Sequence, residues 1–135
     1  MMKPETMLMS AIFHYRMGGY FEDEELLEAV DGLTLRAMLL TVLTELENPP
    51  DTHYYRYQKP DLIFRSRVKR VMMLRFGLEG GQPLTLQKIG EVYGRRGETI
   101  RHIEAKAIRL LRHPTRSRRL EPYIKVPKGE RRSGY

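Results

Sequence analysis

The sequence predicts an all-α protein: a small helical domain with a C-terminal helix-turn-helix, preceded by acidic N-terminal helices. Three observations carry this reading. Apolar residues recur at three- and four-residue steps in successive segments. Each segment is bounded by capping residues or by Gly and Pro breakers. No run alternates apolar and polar residues as a half-buried strand would.

Residues 5–17 place Met7, Leu8, Ala11, Ile12 and Tyr15 at helical spacing before the Gly18-Gly19 stop. Asp23 is a candidate cap for a short helix, EELLEAV, ending at Asp31-Gly32. Thr34 is the expected N-cap of a helix with the stripe Leu35, Met38, Leu39, Val42, Leu43 and Leu46, closed by Asn48-Pro49-Pro50. The Tyr-rich stretch up to Pro60 reads as loop. From Asp61 a helix runs through Leu62, Ile63, Val68, Val71, Met72 and Leu74 to Phe76, with Gly77 as its terminating residue. Thr85 caps LQKIGEVY, whose inner face is Leu86, Ile89 and Val92 or Tyr93. Gly94 opens a tight turn, and a last helix, 98–113, buries Ile100, Ile103, Ala107, Leu110 and Leu111 before Pro114 breaks it.

Composition narrows the function. A chain of 135 residues suits one domain with appendages. It has no Cys, so disulfides and thiolate metal sites are excluded and a reducing compartment is expected. No apolar run approaches the ~20 residues of a membrane span, and the start lacks a leader pattern, so a cytoplasmic protein without a membrane partner is expected. The net charge of +7 is divided unevenly: residues 1–60 hold five basic and ten acidic side chains, and residues 61–135 hold nineteen and seven. The basic half points to nucleic acid. The boundaries expected are an acidic helical extension over 1–60, a DNA-binding domain over 61–122 and a basic disordered tail over 123–135.

Two helices joined by a short Gly-containing turn, the second rich in Arg, are the sequence form of a helix-turn-helix, whose second helix lies in the major groove. Gly90 sits inside the first of them, where Gly costs about 1 kcal/mol, and a close helix–helix approach would explain it. The outer face of the last helix carries Glu98, Arg101, His102, Ala105, Lys106 and Arg109, mostly residue types that read base edges or hold phosphates.

Residues 65–121 resemble region 4 of housekeeping-type bacterial sigma factors, the sigma-70 family. The likeness rests on Leu74-Arg75-Phe76-Gly77-Leu78, on Leu84-Thr85-Leu86 with Ile89-Gly90, on Ile103-Glu104-Ala105-Lys106-Ala107 and on residues 111–118. Leu35–Leu46 carries a weaker likeness to the family's preceding helix. The resemblance implies a domain that recognises the −35 element of promoter DNA and docks on the β-subunit flap of core RNA polymerase. Position by position it implies phosphate contacts by Arg67, Arg75 and Thr85, and base reading by Glu98, Arg101 and His102. It places Lys106, Arg109, Arg112 and Arg116 against DNA backbone or activator proteins.

The sequence also departs from that pattern. The family's Arg before the glutamate is Gly97 here, its base-reading Gln is His102, and its Thr cap is Arg96, with Arg95 replacing an apolar turn residue. A lost bidentate Arg removes ~1–3 kcal/mol of base discrimination, so a shifted −35 preference is expected, with Arg95 and Arg96 supplying phosphate contacts and Gly97 serving as a candidate N-cap. No segment resembles the sigma region that melts the −10 element, so a factor incomplete on its own is expected, with the acidic half meeting another sigma subunit or regulator. Two alternatives stand beside this: a polymerase-binding regulator that does not read DNA, and a stand-alone helix-turn-helix repressor. No catalytic motif is present, and His14, His53 and His113 lack partners at metal-ligand spacing, so neither an enzyme nor a cofactor or metal site is expected. The early methionines read as core or adaptable interface, the Tyr54–Tyr57 cluster as a packed or partner-binding loop, and Glu22–Glu25 as a solvated helix start.

Overall fold

A computed structural model describes residues 4–13, 32–47 and 62–124. The Asp23-capped helix, the Tyr-rich loop, the tail from residue 125, and His14 and His53 lie outside the described residues. Among the described residues the elements are α1 (Pro4–Phe13), α2 (Gly32–Glu47), α3 (Leu62–Phe76), α4 (Leu86–Tyr93), α5 (Gly97–Leu111) and α6 (Pro114–Leu120), closed by a 3-10 turn over Glu121–Tyr123.

The three- and four-residue spacing of apolar side chains becomes one core. From α2 it takes Leu35, Leu39, Val42, Leu43 and Leu46; from α3, Phe64, Val68, Val71, Met72 and Phe76; from α5, all five residues expected from the pattern. Helix α1 contributes Leu8, Met9, Ile12 and Phe13, with Met7 and Ala11 only partly buried. Its buried face is thus centred one residue later than expected, because α1 is enclosed by α2, α3 and α5 rather than resting on one neighbour. The boundary expected at residue 60 divides charge but not packing: α1 and α2 share the core with α3–α6. Ile63, assigned to the inner stripe, is 57% exposed, and Phe64 takes its place. Thr34 lies within the first turn of α2 and is not its cap.

The connections follow from local chemistry. Gly77 ends α3 with φ +73°, and the Leu78 N–H donates to the Met73 carbonyl at 3.0 Å, which turns Leu78 into the core. A Cβ on Gly77 would meet the Gly81 carbonyl oxygen at 2.7 Å. The Thr85 hydroxyl accepts from the Lys88 N–H at 3.1 Å and starts α4 as expected. Pro114 does end α5, but it also opens α6, a helix that the sequence pattern did not predict. Proline suits the first helical position, where its missing N–H has no partner to lose, and the ring nitrogen of His113 accepts from the Thr115 N–H at 3.3 Å as the cap.

Helix α6 is held to α2 by charge. Glu45 accepts from both Nη atoms of Arg119, at 2.6 and 2.7 Å, and lies 3.6 Å from Nε of Arg116. Arg116 is 2% exposed and donates through Nη1 to the Leu110 carbonyl at 3.3 Å. Its Nε lies beyond hydrogen-bond range of Glu45 but within the field of that carboxylate. Leaving a buried guanidinium without its counter-charge is costly. We expect Glu45→Ala to destabilise the fold by about 3 kcal/mol in chemical denaturation, whereas Arg118→Ala, on the exposed side of α6, should change stability by less than about 0.5 kcal/mol.

Candidate nucleic-acid interface

Helices α4 and α5 meet across the three-residue turn Gly94-Arg95-Arg96. Gly94 takes the left-handed conformation at φ +63°, and the Arg95 N–H donates to the Gly90 carbonyl at 2.8 Å. The turn thereby folds back onto Gly90. A Cβ there would lie 2.4 Å from the Arg95 carbonyl oxygen and 3.2 Å from the Arg96 carbonyl carbon. The close helix–helix approach expected at Gly90 is instead an approach of the turn's own backbone. Arg96, in extended conformation, is the N-cap of α5 and makes no side-chain cap bond; Gly97 is the first helical residue, not the cap expected of it.

The surface presented by α5 is polar and charged. Glu98, Arg101 and His102 are exposed on its first two turns, with Thr99 and Ala105 beside them, and Arg95 and Arg96 are exposed on the preceding turn. Glu98 and Arg101 form a two-point ion pair, with Nη2–Oε1 at 2.6 Å and Nε–Oε2 at 3.0 Å. Nε2 of His102 lies 3.4 Å from the same Oε1. The Arg101 hydrogen bond holds the Glu98 carboxyl below its ordinary value, and the same bond raises Arg101. The three residues expected to read bases are thus brought together as one linked set.

The remaining cations fall into two groups. Arg67 lies over the Tyr93 ring at 5.1 Å, with Nη1 lacking a hydrogen-bond partner in the protein. Lys106 lies over Phe64 at 4.4 Å, Arg109 is exposed, and Thr85 stands exposed at the start of α4. Arg67 and Lys106 are half-buried against these rings, and Arg109 and Thr85 lie at the surface. Arg112 and Arg116 are drawn into internal contacts. Arg112 donates to the carbonyls of Ile12 and Ala11 at 3.0 and 2.9 Å, closing the C-terminus of α1, and Arg116 is buried under Glu45. Both expectations are corrected, because a long cationic side chain also satisfies orphan carbonyls at a helix end. Arg75 is braced between Glu104 at 3.2 Å and the Leu84 carbonyl at 3.1 Å, so its guanidinium anchors α3 to α5 and to the start of α4.

Sequence reasoning missed the second role of Tyr93. The helical pattern left Val92 and Tyr93 as equivalent candidates for the inner face. The structure exposes Val92 at 59% and uses Tyr93 as the platform for Arg67. Such a pairing between α3 and α4 has no local signal.

Two helices, a glycine-closed turn and a second helix with a polar outer edge define a helix-turn-helix domain. Comparison with known proteins gives the particular kind: residues 65–113 match the family model "Sigma-70, region 4", and they form a sigma-70 region 4 domain. The chain is 37% identical over 108 residues to the RNA polymerase sigma factor SigA of Bacillus sp, covering 80% of this chain and 25% of that protein. It therefore spans about a quarter of that relative's length. Any stretch of 108 residues in a 135-residue chain includes residues 28–108, so the similarity takes in α2 and is not confined to the helix-turn-helix. No helix among the described residues is long and apolar enough to cross a membrane.

The ion pair gives a pH prediction. A lowered carboxyl value means that the Glu98–Arg101 pair persists above the usual range near ~4.3 and is lost only as pH falls through the lower, folded-state value. In an NMR titration the Glu98 carboxyl carbon should show its midpoint below the ordinary carboxylate range, and Arg101→Ala should return it to that range.

Proposed function

We propose that this protein binds double-stranded promoter DNA of the −35 type through α5, and that the same domain contacts the β flap of core RNA polymerase. The observation that carries the DNA reading is the placement of Glu98, Arg101 and His102 on the exposed first turns of the second helix of a helix-turn-helix. In such units the N-terminal residues of that helix meet base edges. Their chemistry suits base reading, since a guanidinium pairs with the two acceptors of guanine and a carboxylate accepts from the amino group of cytosine. Arg67, Arg95, Arg96, Lys106 and Arg109 supply phosphate contacts around that edge. The polymerase contact is supported by the family match and by the similarity to a protein named as an RNA polymerase sigma factor.

With Gly97 in place of an arginine and His102 at the base-facing position, the preferred hexamer is shifted from the ordinary −35 sequence. The acidic N-terminal half is the surface for a second regulator or sigma subunit. Cytoplasmic location follows from this role.

The test is DNA binding measured across a salt series with site selection. About four or five phosphate contacts predict a slope of log K against log salt near −4. Arg101→Ala should weaken specific binding by about 1–3 kcal/mol and relax selection at its base pair, and Glu98→Ala should relax a neighbouring position. Arg112→Ala and Arg116→Ala should lower stability and leave the salt slope unchanged. Selection of the ordinary TTGACA-type hexamer would refute the shifted preference. Indifference of DNA binding to both α5 substitutions, with core polymerase still retained, would favour a polymerase regulator that does not read DNA.

A further inference from the structure

Helix α1 is seated as a ligand is seated. It is ten residues long, and eighteen residues of sequence separate it from α2. Isolated helices shorter than ~12–15 residues are marginal in water, so its order derives from its surroundings. Those surroundings are α2, α3 and α5, against which Leu8, Met9, Ile12 and Phe13 are each at most 1% exposed. At its C-terminal end Arg112, which caps the DNA-facing helix α5, donates to the Ile12 and Ala11 carbonyls. These two bonds address main-chain oxygens that every helix leaves open at that end. The seat therefore recognises an apolar face at spacing i, i+1, i+4, i+5 and an open helix terminus, and neither feature is particular to this segment.

In one respect α1 fits poorly. The Thr6 hydroxyl is fully buried and has no hydrogen-bond partner. A buried hydroxyl without a partner opposes seating, and a β-branched apolar residue of the same shape would not. We propose that α1 is a displaceable occupant of a helix-binding groove, and that the groove takes a short apolar helix presented by a partner protein. That helix carries Leu-, Met- or Phe-type side chains at the four buried positions and an aliphatic residue where α1 has Thr6. Exchange leaves the core filled, because one apolar helix replaces another, and it frees the N-terminal segment. The groove is separate from the exposed reading edge of α5, so the inference does not depend on DNA recognition.

The probe is a fluorescently labelled peptide of residues 3–14 carrying Thr6→Val, titrated with the full chain. Saturable one-to-one binding is expected. Building Thr6→Val into the chain's own α1 should weaken peptide binding about tenfold, because the tethered occupant is then the better competitor. In hydrogen exchange of the full chain, amides of Leu8–Phe13 should exchange at least about tenfold faster than those of Ile100–Leu111, and more slowly once Thr6→Val is introduced. Absence of peptide binding overturns the proposal. So does binding indifferent to the chain's Thr6→Val, which places the peptide elsewhere, or α1 exchanging in step with α5, which makes it an inseparable part of the core. A chain that sediments alone as an α1-exchanged dimer also overturns it, since the occupant is then a second copy.

Discussion

The approach of the turn backbone to Gly90 sets the geometry on which the rest of the interface depends. With 2.4 Å between the Arg95 carbonyl oxygen and the place a Cβ would occupy, only a hydrogen atom fits. That contact, together with the Arg95 N–H bond to the Gly90 carbonyl, fixes how α4 enters the turn and where α5 begins. The propensity cost of glycine in mid-helix is small beside the ~1–3 kcal/mol typical of overpacking a close contact. Everything that faces DNA in the proposed function is measured from that point: Arg95 and Arg96 on the turn, then Glu98, Arg101 and His102 on the next two helical turns.

The arginines show where sequence reading stops. On α5 and α6, Arg101, Arg109, Arg112, Arg116 and Arg119 are chemically alike, and the basic character of the region marks all of them as candidates for an anionic partner. The structure gives Arg112 to helix carbonyls and Arg116 and Arg119 to Glu45, leaving Arg101, Arg109 and Arg118 on the surface. The deciding partners lie far away in the chain, in α1 and α2, and belong to the half that composition set apart as acidic. Complementary charge between the halves thus serves in part to join them. Among the described residues of the basic half many cations are exposed, but the most buried one, Arg116, closes an internal contact.

What was legible follows the same logic. The buried face of α5 was read from its spacing without error, and so were the Thr85 cap, the Gly77 terminus and the tight turn opening at Gly94, because each is fixed by residues within one or two turns. Helix α6 escaped because a proline that ends one helix equally begins the next when the preceding residue can cap it, as His113 does. The face of α1 was displaced by a residue, and Val92 could not be told from Tyr93, because the choice depends on elements distant in sequence. In the candidate site, the grouping of Glu98, Arg101 and His102 follows directly from helical spacing. Their mutual pairing does not, since several rotamers of a solvent-facing arginine are compatible with that spacing.

That pairing bears on specificity. An exposed ion pair contributes little to stability, and its value here lies in orientation. Glu98 holds the Arg101 fork through two of its nitrogens, so under the proposed function the side chain would meet DNA as part of a carboxylate–guanidinium unit. A base that satisfies the unit keeps the pair intact; one that must draw Arg101 away exposes Glu98 to the phosphates, a like-charge penalty felt only by the wrong sequence. With glycine at position 97, this paired set is the main group on the first two turns of α5 that the proposed function aims at bases, and His102, 3.4 Å from the same carboxylate oxygen, is tied into it. Expected selectivity is therefore collective: replacing Arg101 alters what Glu98 and His102 can hold, and the two single substitutions Glu98→Ala and Arg101→Ala should not sum to the double. A double-mutant cycle on DNA affinity measures this, with strict additivity as the result that would show the three residues acting separately.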